Sequence, residues 1–84
     1  MTKVIIFNGS KKEMNKCKKA FLHCSGSYEV YTKRLEIIRE SIFNYRLEVV
    51  IEGDSEIQIK SFFDKVISAH KLLNGNILGL KGFI

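Results

Sequence analysis

The chain has 84 residues, with 14 Lys and Arg against 9 Asp and Glu, a formal charge of +5 at pH 7, and neither Pro nor Trp. At 45% apolar and 27% charged residues it is too hydrophobic for a disordered chain. No apolar run nears the ~18 residues of a membrane-spanning helix, and MTKVIIFNGSKK lacks the pattern of a secretory signal.

Four turn clusters, Asn8-Gly9-Ser10, Ser25-Gly26-Ser27, Gly53-Asp54-Ser55 and Asn74-Gly75-Asn76, cut one expected domain, 1–84, into five segments. In the first, Lys3 to Phe7, the apolar run Val4-Ile5-Ile6-Phe7 does not alternate, which predicts a central strand covered on both faces. Ser10 followed by Glu13 is a capping-box pattern. Met14, Cys17, Phe21 and Cys24 then recur at helical spacing until Gly26 ends the helix.

The third segment contains a clear strand: Tyr45, Leu47, Val49 and Ile51 alternate with Arg46, Glu48, Val50 and Glu52. Upstream, Tyr28, Val30 and Thr32 hold one parity while Leu35 and Ile37 hold the other. One extra residue near Thr32 to Arg34, a β-bulge, reconciles them. Tyr31, Leu35, Ile38 and Ile42 also fit a helix. Strand is the preferred reading, because a helix would deprive Tyr45–Ile51 of its hairpin partner across a turn near Ser41 to Asn44. Next, Ser55 caps a helix whose apolar face is Ile59, Phe62, Phe63, Val66, Ile67, His70 and Leu73, with Gly75 at its end. Ile77 to Ile84 is a final strand.

The order β-α-β-β-α-β predicts an α+β fold: a two-layer split βαβ (ferredoxin-like) sandwich. In it a four-stranded antiparallel sheet carries both helices on one face, with right-handed crossovers. The other sheet face is then wet or covered by a partner, so a homodimer or a protein partner docking there is an open alternative. Cys17 and Cys24 lie roughly 10 Å apart along the first helix, too far for a disulfide, and read as reduced core thiols of a cytoplasmic protein.

Charge is uneven. Residues 1–46 carry ten basic and four acidic side chains, net +6, and residues 47–84 are net −1. Lys12, Lys16, Lys19 and His23 fall opposite the apolar stripe of the first helix, flanked by Lys11 and Lys18. Like charges at i, i+4 cost a few tenths of a kcal/mol per pair, so a face of one sign points to a polyanionic partner. The alternative is a solvated face in a Lys-rich proteome. Eleven Lys to three Arg suits backbone phosphate rather than guanine readout. The expected function is therefore a non-catalytic nucleic-acid-binding protein, RNA more than DNA. It would contact phosphates through Lys11, Lys12, Lys16, Lys18, Lys19 and His23, with Arg34 and Arg46 in support. An accessory or regulatory role fits its size, including a phage-encoded modulator of a host RNA-directed system. Phe7, Tyr31 and Phe83 are candidates for stacking bases on the bare sheet face, although the strand at Tyr45–Glu52 lacks the glycines and paired aromatics of the RNA-recognition motif.

Other chemistry finds no support in the pattern. The histidines lack ligand spacing, so no metal or other cofactor is expected. Glu36 and Glu40 would sit about 13 Å apart on a strand, too far for acid–base work. Asn8 stands where a nuclease of this topology would need an acid. Asn8-Gly9-Ser10-Lys11-Lys12 leads into a helix N-terminus but has only one glycine of a phosphate loop.

Overall fold

The computed structural model describes residues 1–24, 26, 29–70 and 80–83. It is α+β: β1 (Thr2–Gly9), α1 (Lys11–His23), β2 (Val30–Arg39), β3 (Tyr45–Gly53), α2 (Glu56–His70) and β4 (Leu80–Phe83). Three long strands form an antiparallel sheet in the order β2-β3-β1, and the short β4 pairs antiparallel with β1 on its other side.

Local chemistry sets the boundaries. α1 opens on the expected capping box: the Glu13 amide donates to Ser10 Oγ at 3.2 Å and the Ser10 amide donates to Glu13 Oε1 at 3.0 Å, which satisfies two otherwise orphaned donors. α2 begins similarly, with the Gln58 amide donating to Ser55 Oγ at 3.2 Å. α1 ends at His23 with Cys24 as its C-cap, two residues before the predicted stop at Gly26. Gly26 has a different job. A Cβ there would come within 2.5 Å of the Val30 carbonyl oxygen and 2.7 Å of Tyr31 Cα, so its bareness lets the connection lie against β2.

The segment open to two readings is strand from Val30 to Arg39, and its register against β3 shifts between Thr32 and Arg34, where the parity change placed the bulge. After the bulge, Leu35 lies opposite Val49 and Ile37 opposite Leu47.

Register fixes the core. Ile5 pairs with Val49 and Phe7 with Leu47, so these side chains share one sheet face with Ile51. That face meets Met14, Cys17, Ala20 and Phe21 of α1 and Ile59, Phe63 and Val66 of α2 in one cluster. Both helices therefore cover the same side. Three rings lock the junction: Phe7 to Phe21 at 6.0 Å, Phe7 to Phe63 at 6.2 Å and Phe21 to Phe63 at 6.4 Å between centroids.

Two expectations are corrected here. β1 is not covered by a layer on each face: Ile5 and Phe7 are sealed beneath the helices, while Val4 and Ile6 are half-buried on the outer face. Phe7, expected on a bare face as a stacking platform, is 0% exposed in the core. A run of four apolar residues carries no parity, so it could not say which side would be sealed.

Burial pushes the Cys17 thiol up to about 11, since an apolar core disfavours the thiolate. Neither Cys17 nor Cys24 is in a disulfide. The Thr2 hydroxyl donates to Glu52 and holds its carboxyl below the ordinary range. Among the described residues no helix is long and apolar enough to cross a membrane. The side chain of His70, the turn Asn74-Gly75-Asn76 and the start of the final segment lie outside the described residues.

Candidate nucleic-acid interface

The candidate site is built on α1. Burying Met14, Cys17, Ala20 and Phe21 turns the opposite side of the helix to water. Lys11, Lys12, Lys16, Lys19 and His23 are exposed there, and Lys18 is half-buried at the flank. From Lys12 to His23 the row spans about 16 Å at ~1.5 Å per residue. None of these six side chains forms an ion pair among the described residues. The ion pairs seen among the described residues include Lys3–Glu56, the N-terminus with Glu52, and four made by Arg34 and Arg46. Glu13, the one carboxylate on α1, is engaged by the Ser10 amide. The helix thus presents a cationic face that no carboxylate of the described residues pairs with.

Arg34 and Arg46, expected to support that face, lie elsewhere. Cross-strand pairing puts Arg34 opposite Val50, Glu36 opposite Glu48, and Arg46 opposite both Asn8 and Ile38. These positions are on the sheet face away from the helices. Glu36 and Glu48 would repel each other there. Arg34 separates them, reaching Glu36 at 2.7 Å and Glu48 at 3.4 Å, while Arg46 reaches Glu48 at 3.4 Å and Glu40 at 3.6 Å. Three carboxylates against two guanidiniums leave that mesh net negative, a poor surface for phosphate.

Of the stacking candidates, Phe7 is in the core. Tyr31 is 40% exposed and pairs across the sheet with Glu52. Phe83 pairs with Ile5 in backbone register, and its side chain lies outside the described residues. Tyr31 does join the helix at one place. A groove of about 370 Å³ between the end of α1 and β2 is lined by Lys18, Leu22, Tyr31, Lys33 and Arg34, with no carboxylate among its described lining residues.

One feature escaped the sequence reading. The turn joining β2 to β3 exposes Ile42 at 70% and Phe43 at 82%. The signal was present: two large apolar residues occupy a predicted turn, where polar residues belong.

Among the described residues no group of three or more His, Cys, Asp or Glu is placed to hold a metal ion. Comparison of the chain with protein-family models, with curated proteins and with solved structures returns no match in any of the three.

Proposed function

We propose that this is a small, non-catalytic nucleic-acid-binding protein that grips backbone phosphates, RNA in preference to DNA, along the outer face of α1. The observation that carries this reading is the row Lys11, Lys12, Lys16, Lys19 and His23: exposed, on one side of one helix, with no carboxylate paired to it among the described residues. Holding ammonium groups together without compensation costs helix stability, and a polyanion is the partner that repays it. The excess of Lys over Arg suits point-charge contact with phosphate over base reading. The same reading takes the strand order β2-β3-β1-β4 as the split βαβ, ferredoxin-like arrangement of a single domain. It places the protein in the cytoplasm, in an accessory or regulatory role.

The rival reading, a protein-interaction module docking through the open sheet face, has less behind it. Beside the half-buried Val4, Ile6 and Ile38, that face carries a mesh of Arg–Glu pairs.

Titrating a labelled single-stranded RNA at several salt concentrations tests the proposal. With four or five phosphates contacted, at about −0.7 per contact, log K should fall with log salt at a slope of about −3, roughly 60-fold for a fourfold rise in salt. The double variant Lys12→Glu, Lys16→Glu should abolish binding while keeping the wild-type circular dichroism. Absence of any binding by the wild type at low salt refutes the proposal.

A further inference from the structure

We propose that the β2–β3 turn is a wedge on which an unpaired nucleobase of a single-stranded nucleic acid stacks, with Phe43 as the stacking ring and Ile42 as its shoulder. This rests on the phosphate-binding reading of α1 and names the part of the ligand that reading leaves out.

The tip is built to project. The Glu40 and Ser41 amides both donate to the Asn44 carbonyl, at 2.9 and 3.1 Å. The Asn44 amide donates to Ser41 Oγ at 3.2 Å, and Arg39 Nε donates to the Ser41 carbonyl at 3.2 Å. Four hydrogen bonds across six residues pin the backbone on both sides of Ile42 and Phe43. The two side chains have nevertheless not folded back: they are 70% and 82% exposed, the two highest values among the large apolar residues described apart from Ile57 at 79%. Holding two apolar groups in water on an ordered turn is unfavourable unless something covers them.

The surroundings favour a nucleic acid as the cover. Asn8 Nδ2 donates to Glu40 Oε1 at 2.6 Å, tying the turn to the end of β1. Two residues on, Ser10 caps α1, so the turn and Lys11 and Lys12 share one end of the molecule. Glu40, the carboxylate nearest the tip, is already held by Asn8 and Arg46. Arg39 forms no ion pair among the described residues. Lys11, Lys12, Arg39 and Arg46 stand at this end against Glu13 and Glu40, so cations outnumber carboxylates around the apolar point even though the Arg–Glu mesh of the sheet beyond it is net negative.

Size decides the rest. A stable protein interface needs on the order of 800 Å² from each partner, far more than two side chains supply. One aromatic ring matches one base, and such stacking is indifferent to base identity. A strand lying along Lys19, Lys16 and Lys12 leaves α1 at its N-terminus, beside the turn.

The chain has no Trp, so Phe43→Trp makes a single reporter at a position whose exposure spares the fold. Oligo(U) should quench its emission. Phe43→Ala should weaken oligo(U) on the order of tenfold, the loss of one base stack, and leave the log K against log salt slope unchanged, since no phosphate contact is lost. If Phe43→Ala binds like the wild type, or changes the slope, or if Phe43→Trp binds without quenching, the wedge is wrong while phosphate binding by α1 stands. If phosphatidylserine vesicles shift the Trp emission to the blue and oligo(U) does nothing, the tip belongs to a membrane surface and the proposal falls. If neither wild type nor variant binds oligo(U) at low salt, the wedge and the phosphate reading fall together.

Discussion

Shaving Phe7 to leucine removes both ring contacts that hold α1 and α2 to β1, those at 6.0 Å to Phe21 and 6.2 Å to Phe63. Aromatic pairs contribute about 0.5–1.5 kcal/mol each beyond the area they bury, so the pair of contacts accounts for roughly 1–3 kcal/mol. The smaller side chain in a site with no exposure adds about 1 kcal/mol of lost packing. The expected cost of Phe7→Leu is about 2–4 kcal/mol. Phe7→Ala should cost more, about 3–5 kcal/mol. A domain of 84 residues has on the order of 4–13 kcal/mol to lose, so the leucine variant folds and the alanine variant borders on not folding. Urea unfolding followed by far-ultraviolet circular dichroism reads this directly: at roughly 1 kcal/mol per molar urea, the Phe7→Leu midpoint should drop by about 2 M or more with little change in slope. Phe43→Ala is the companion measurement. Its ring is 82% exposed, and the midpoint should move by the equivalent of less than about 0.5 kcal/mol. A Phe7→Leu cost below that figure, or a Phe43→Ala cost above the Phe7→Leu one, would refute the assignment of these two rings to core and surface.

Three further outcomes follow from the packing. Gly53→Ala should destabilise by about 1–3 kcal/mol in the same urea assay, because the new Cβ would meet Ile59 Cγ1 at 2.7 Å in the sealed core. Ser10→Ala should cost about 1 kcal/mol by removing the N-cap of α1, whereas Ser10→Asp should retain most of the stability. Between its ordinary 9.0 and the folded value of about 11, the Cys17 thiol is ionised in the unfolded chain and protonated in the folded one. The unfolded state therefore binds fewer protons in that window, and stability falls as pH rises, by on the order of 2–3 kcal/mol in total. Cys17→Ala should lack that component of the fall, which the difference between the two urea-derived pH profiles isolates.

Features that depend on near neighbours could be read from the chain. Ser10 and Glu13 announce the start of α1 because the capping box is closed within four residues. The parity change between Thr32 and Leu35 locates the bulge because a strand alternates with period two. What could not be read depends on register between strands. Arg34 and Arg46 look like spare cations in a list of basic residues. They cease to be so only when Glu36 and Glu48 from the strands and Glu40 from the turn arrive beside them. The lysine row of α1 was legible since its spacing is local. That no carboxylate among the described residues pairs with it is a tertiary fact. The exposure of Ile42 and Phe43 is likewise hidden in the chain, because Ile42 also fits a helical stripe and a turn is normally judged by its polar residues.

The bulge at Lys33 reaches beyond the geometry of one strand. β2 forms the outer border of the sheet, ten residues long, with β3 on one flank. An uninterrupted border of that length is an invitation for stray extended chains to zip on, the first step towards insoluble fibres. Lys33 splits that border into two short stretches of opposite phase and sets an exposed lysine at the break. Without it, a newcomer would find one continuous template; with it, an extended chain in phase with one stretch is out of phase with the other.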